Sequence, residues 1–290
     1  MAIDWGFTIR KIVVYGTLLV LYALAMTVLF ALFPSYWFII LLFSGGFVFL
    51  QYFLSDKLVL WSTGAKVVSE NEAPRLHMTI ENLALKMGLP KPKIAIVQND
   101  MPNAFATGRN YRNSVVAVTT GLLNRLNEQE LQAVLAHEMT HVKNRDMFVV
   151  TFASFVVSVM SMIIYFALAS VMRGDDREGG FGASMIAWFV SIIFSNTIGL
   201  IIINTVSRYR EYGADRGAAL VTRNPDGLIS ALKKISSRPV SGESARGLES
   251  AKALCISATT KGMLELFSTH PSMEKRIAAL EKVKTEIRGY

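Results

Sequence analysis

Apolar positions along the chain follow two kinds of pattern. Four runs contain no charged residue: 12–33, 36–55, 147–172 and 181–207. Each is about 20 residues or more, enough to cross a hydrocarbon core of roughly 30 Å as a helix. Pro34 and Ser35 make a turn between the first two runs, so these predict a membrane hairpin. A cleaved signal peptide is disfavoured, because the first run is too long and a second follows at once. Outside these runs, apolar and polar residues interleave at the periods of water-soluble elements. The stretch 72–87 predicts a helix with Leu76, Ile80, Leu83 and Met87 inward, stopped by Gly88 and Pro90. KIAIVQ (93–98) and SVVAVT (114–119) read as strands, and the turn-rich NAFATGRNYRN (103–113) as a hairpin. Pro225-Asp226-Gly227 predicts a turn and 238–246 a polar loop. A last amphipathic helix follows Pro271, with Ile277, Leu280 and Val283 on its apolar side.

One soluble stretch carries chemistry. NEQELQAVLAHEMTHVKNRD (127–146) predicts a single helix. It opens with a capping box, Asn127 and Glu130. Its buried stripe is Leu131, Val134, Leu135, Met139 and Val142. His137 and His141 lie four apart, hence on one face and about 6 Å apart along the axis. Two imidazoles so placed can both reach one ion at about 2.0–2.1 Å. Glu138 stands beside the first, where it can hold a water. This is H-E-x-x-H on a helix, the signature of zinc metallopeptidases. The pattern fixes only three positions and recurs by chance. Here it sits on a predicted helix, and two of the four histidines fall in register.

A catalytic zinc needs a third protein ligand and an open fourth position. The best candidate is Glu211, just after the fourth apolar run. Asp215, four residues on, shares its helical face and can accept a hydrogen bond from the second nitrogen of a ligand imidazole, fixing its tautomer. The alternative is a solvated charged face among Arg208, Arg210 and Arg216. His77 reads as a partly exposed structural residue.

Composition agrees with a membrane protein. Of 290 residues, 52% are hydrophobic, and the net charge is +8. The mean hydropathy of +0.37 is high for a soluble domain. There is no interleaved basic and aromatic run of the kind that binds nucleic acid. Lysine and arginine cluster at the outer ends of the apolar runs, whereas the 173–180 loop is net negative. That bias predicts cytoplasmic termini and a cytoplasmic soluble part. The single cysteine, Cys255, cannot form an intrachain disulfide, so nothing suggests an oxidising compartment.

HEMTH on a helix, REYGADRGAA after two apolar runs, NAFATG upstream and STHPS near the end resemble the HtpX-type membrane metallopeptidases. These are relatives of the Ste24 CAAX prenyl protease and of Oma1. The resemblance implies a mainly α fold with a small β-sheet. It implies four transmembrane helices and a cytosolic, gluzincin-like peptidase domain. The expected layout is a membrane hairpin in 1–55, a first peptidase part in 56–146, a second hairpin in 147–207 and a second peptidase part in 208–290. The resemblance also implies one zinc per chain, a multi-pass location in the plasma or inner membrane, and endopeptidase action on misfolded or damaged membrane proteins in quality control. By residue, it makes His137, His141 and Glu211 ligands, Glu138 the general base and Asp215 the partner behind a ligand. It places Asn103 and Ala104 on the substrate side and His270 near the metal as an oxyanion donor. His270 can equally be a cap before the Pro271 turn. The 114–119 strand is expected to offer its edge to an extended substrate.

Two other functions bear weighing. A site-2-type intramembrane protease also uses H-E-x-x-H, with an aspartate from a motif like Asn224–Gly227. Yet Glu128, Glu130, Lys143, Arg145 and Asp146 flank the histidines, and such charges are costly inside hydrocarbon. A non-enzymatic metal-binding membrane scaffold would have no need of Glu138.

Overall fold

The computed structural model describes residues 34–173, 180–236 and 270–288, with most positions of 16–31. The predicted loop at 238–246 and Cys255 lie outside the described residues. The chain divides into two units, Met1–Gln51 with Val149–Val206, and Tyr52–Phe148 with Ser207–Tyr290.

The first unit is helical. Among the described residues, two stretches are long and apolar enough to cross a membrane, Asp146–Met172 and Phe181–Thr222. The core helix of a soluble protein would be mostly buried. Here only 33% and 17% of the most apolar windows are buried. Val171, Phe181, Met185, Ile186, Trp188 and Phe189 lie exposed, a surface that water does not tolerate at this extent. Within the unit, Met26 packs with Phe155 and Val159. Ser161 donates to the Ser191 carbonyl at 2.8 Å, tying the two long helices. The second stretch is one continuous helical run, Gly180–Phe194 joined through a π-helical turn at Ser195–Gly199 to Leu200–Thr222.

The second unit is helical around a four-stranded mixed sheet. The strands are β1 (Lys66–Val67), β2 (Lys93–Val97), β3 (Ala104–Gly108) and β4 (Ser114–Thr119), in the order β1-β2-β4-β3. β2 and β4 are parallel, with Lys93 opposite Val115, and β3 and β4 form an antiparallel hairpin, with Ala104 opposite Val118. The alternation in the strands separates two buried faces rather than a wet and a dry one. Ile94, Ala104, Ala106, Val116 and Val118 face the helical core. Ala95, Val97, Phe105, Val115 and Ala117 face Val59, Leu60 and Ala65 instead. β4 is paired on both sides, so it has no edge to offer a substrate. That expectation fails, because strand order is not written in a strand's own pattern. The outer strand is β3, which the turn-rich reading of 103–113 had hidden.

The helical core contains Leu76, Ile80, Leu83 and Met87 of the Pro74–Met87 helix, as the periodicity requires. Gly88 ends this helix in the left-handed conformation, which costs glycine nothing. Val134, Leu135 and Met139 join them from Glu128–Asn144, Leu228 and Leu232 from Pro225–Ser236, and Leu280 and Val283 from Met273–Arg288. Two boundaries differ from expectation. Pro225-Asp226-Gly227 is not a turn but the first turn of a helix, since proline suits the first helical position. The Asn224 side chain caps it by accepting from Gly227 N at 3.0 Å. The stretch 127–146 is likewise not one helix. Arg145, at φ 57°, ends it, and Asp146 begins the next.

Candidate active site

The Glu128–Asn144 helix starts at a complete capping box, with Asn127 Oδ1 accepting from Glu130 N and the Glu130 carboxylate accepting from Asn127 N, both at 2.9 Å. The second oxygen of the Glu130 side chain accepts from Ser230 Oγ at 2.6 Å, which anchors the helix to Pro225–Ser236. Its apolar stripe seats in the core, and the opposite turn of backbone presents His137, Glu138 and His141. The Leu200–Thr222 helix crosses it closely. A β-carbon at Gly217 would stand 2.8 Å from Thr140 Oγ1, so only glycine permits this approach. Thr140 lies between the two histidines, so the contact sets how near Glu211 comes to them.

The result is a compact donor set. His137 Nε2 and His141 Nε2 are 3.2 Å apart. Glu211 Oε1 is 3.3 Å from His141 Nε2, and Glu211 Oε2 is 3.5 Å from His137 Nε2. Ligands at about 2.0–2.1 Å in tetrahedral geometry stand roughly 3.3–3.4 Å from one another. The two imidazole nitrogens and the Glu211 carboxylate, one oxygen beside each nitrogen, are thus gathered as a metal ion would need them, with one donor atom from each residue within 4.8 Å of the others. The imidazoles are oriented from behind. His137 Nδ1 lies 2.9 Å from Asp215 Oδ1. His141 Nδ1 hydrogen-bonds Asp146 Oδ2 at 2.7 Å. A proton on each Nδ1 would leave both Nε2 lone pairs directed into the same small space, the state a bound cation would select. Charge agrees. Among the described residues, Glu138, Asp146, Glu211 and Asp215 face two guanidinium groups, Arg210 and Arg276. Neutral imidazoles and ionised carboxylates, the forms a bound metal requires, would leave two negative charges for a divalent ion to offset.

Other groups gather around this set. Glu138 is 5% exposed, and its Oε2 accepts from Ala106 N on β3 at 3.0 Å. Burial pushes its carboxyl up from the ordinary value. Burial would lower the His141 imidazole, but the carboxylates of Asp146 and Glu211 outweigh it and push it up to about 10. His270 is brought in from a distant part of the chain, its Nε2 3.6 Å from Glu211 Oε2. Burial above all, then the charge of Arg276, brings it down to about 4, so it is neutral at pH 7. Asn103 and Ala104 are fully buried. Asn103 N donates to Thr119 Oγ1 at 2.9 Å, and Ala104 begins β3. His77 stands apart, half-buried, its Nε2 3.1 Å from the Val68 carbonyl.

Two participants were missed in the sequence. Arg276 is fully buried and grips Asp215 through Nε at 2.9 Å and a terminal nitrogen at 2.6 Å. It sits 61 residues away on a helix whose pattern suggested only an apolar stripe, so no local signal marked it. Asp146 was taken as the end of the motif helix. The left-handed Arg145 turns the chain so that Asp146 meets His141 instead. A cleft opens beside His141, lined by Ala106 to Asn110 of β3 and its turn, with Val142, Arg145, Met147 and Phe148.

Comparison with known proteins agrees with this geometry. The pattern of Peptidase family M48 matches residues 70–284. "Protease HtpX homolog 2" of Methanosarcina mazei is 50% identical over 252 residues, which is 86% of this chain and 85% of that protein. "Protease HtpX homolog" of Moorella thermoacetica is 45% identical over 297 residues, covering 98% and 96%. Among solved structures, Ste24p of S. mikatae aligns with a TM-score of 0.58 at 19% identity, over 95% of this chain and 67% of that one, a likeness of fold. With two apolar helices and a donor set fit for a metal, this chain belongs to peptidase family M48, as a membrane metalloprotease of the HtpX type.

Proposed function

We infer that the protein is a zinc endopeptidase acting on unfolded or damaged membrane proteins as part of membrane quality control. One zinc per chain would be held by His137, His141 and Glu211. The observation that carries this is the convergence of the two imidazole nitrogens, 3.2 Å apart, on the Glu211 carboxylate, whose oxygens stand 3.3 and 3.5 Å from them, with Glu138 beside the set. A zinc ion there would acidify a water towards a pKa of about 7 and polarise the scissile carbonyl. The chain's own groups supply the rest. Asp215 and Asp146 hold the ligand imidazoles in one tautomer. The Glu138 carboxylate, steadied by Ala106 N–H, takes the proton of the attacking water and delivers it to the leaving amine. His270, neutral at pH 7, has an N–H to donate to the oxyanion. The extended substrate pairs with the outer edge of β3. Asn103 and Ala104 act at that edge by fixing where β3 begins. Backbone pairing of this kind favours unfolded segments over a specific sequence.

The membrane reading is four spans, 12–33, 36–55, 147–172 and 181–207, with peptidase parts 56–146 and 208–290 and both termini on the cytoplasmic face of the plasma or inner membrane. It is supported by the exposed apolar helices and the basic residues at their ends. An intramembrane protease fits less well, since the Asp226 of its required motif begins a helix and pairs with Lys284. A scaffold without activity leaves the buried Glu138 unexplained.

The test uses full-length protein in detergent with a casein-like substrate. Glu138→Gln should keep zinc and lose cleavage by several orders of magnitude. Glu211→Ala should lose zinc on dialysis. Wild-type cleavage by the first variant, or unchanged zinc in the second, ends this reading.

A further inference from the structure

We propose that Arg109 and Arg145, at the mouth of the cleft, and Arg112, which shares the Tyr111 ring with Arg145, form a binding surface for anionic phospholipid headgroups. The proposal rests on the membrane reading above. Arg112 and Arg145 are exposed and Arg109 is half-buried, and none of the three pairs with a carboxylate among the described residues. Three uncompensated positive charges on one rim call for an anionic partner.

The three side chains are held by aromatic faces rather than by acids. Arg109 lies over the Phe53 ring at 5.0 Å. Arg145 and Arg112 share the Tyr111 ring, at 5.4 and 5.9 Å. A guanidinium stacked on a ring keeps its N–H edge available for bidentate contact with a phosphate. The anchoring points say which phosphate. Phe53 is in the last turn of the proposed second span, and Arg145 immediately precedes the apolar helix that starts at Asp146. Phe148, three residues past Arg145, is 53% exposed. The arginines thus stand where two spans meet water, the level of the headgroups. Arg109 and Arg145 line the cleft together with Ala106 and His141, so a headgroup bound to them would sit at its mouth.

The experiment places the full chain in nanodiscs of phosphatidylcholine with a minor share of phosphatidylglycerol. Native mass spectrometry then counts the lipids that stay bound. Wild type should enrich phosphatidylglycerol at least about tenfold over the R109Q/R112Q/R145Q variant. Arg112→Gln alone, on an exposed turn, should lower enrichment about twofold or more. The triple lysine variant should fall between wild type and the glutamine form, because it keeps the charge and loses the fork. Equal enrichment in wild type and both glutamine variants overturns the proposal. So does a triple variant that, in lipid-free detergent, selectively loses cleavage of an acidic peptide, which would assign the rim to substrate. Wild type that fails to enter nanodiscs overturns the membrane reading itself.

Discussion

The two histidines of the candidate metal site are supported in the same way by unequal frameworks. Behind each stands an aspartate, and behind each aspartate an arginine. On the His137 side it is the aspartate that is tightly held, while His137 Nδ1, 2.9 Å from Asp215 Oδ1, is not aligned for a hydrogen bond. Asp215 is 1% exposed and Arg276 holds both its oxygens. On the His141 side the aspartate is equally buried, but Arg210 reaches it only at 3.6 Å, and one oxygen of Asp146 has no partner. Asp215 belongs to a helix packed into the core of the peptidase unit, whereas Asp146 opens an apolar helix that runs on into the other unit. A bidentate pair inside a core is rigid. A single contact at the start of a helix leaves the imidazole more freedom. A metal bound as proposed would be held firmly from the Asp215 side and, from the Asp146 side, through the first turn of an apolar helix.

Breaking the firm side should cost most. Arg276→Ala leaves Asp215 buried and unpaired, which should lower stability by about 3–5 kcal/mol. A thermal melt of the purified protein measures this, and a loss under about 1 kcal/mol would show the pair to be weak. Next come the two aspartates. With zinc held as proposed, Asp215→Asn and Asp146→Asn should each weaken it by about 10–100-fold, read by competition with a chromophoric chelator. The comparison predicts the larger loss at Asp215. A larger loss at Asp146 would reverse it. Gly217→Ala should act on both sides alike by pushing the two ligand helices apart at Thr140, with a cost of about 1–3 kcal/mol and weaker zinc binding. Unchanged melting would mean that Thr140 yields. The smallest effect is expected of Arg210→Gln, a change in zinc affinity of about threefold or less, since an ion pair beyond 3.5 Å contributes little.

Much of this site is visible in the chain because its logic is local. His137 and His141 are four residues apart, and helix geometry alone puts them on one face. The capping box at Asn127 and Glu130 and the stripe through Val134 and Met139 are local too, and the structure contains them all. Glu211 was reachable only as a candidate, since a charged pair on a helix has many uses. The misreadings share one cause. Proline followed by Asp-Gly suits both a turn and a helix start, and the choice fell to Asn224 and the core that receives Leu228 and Leu232. Strand order decided that β3, not β4, is the outer strand on the side of Glu138.

By itself the sequence determined the apolar helices, the metal motif and the faces that must be buried, because hydrophobic period and side-chain spacing are properties of neighbours. Only the tertiary structure decided which carboxylate backs which imidazole. It also decided that Arg276 would lie in the interior and that Arg145 would turn Asp146 back toward His141. A buried charge is tolerable only beside its partner, and that partner is supplied by the folding of distant segments onto one another.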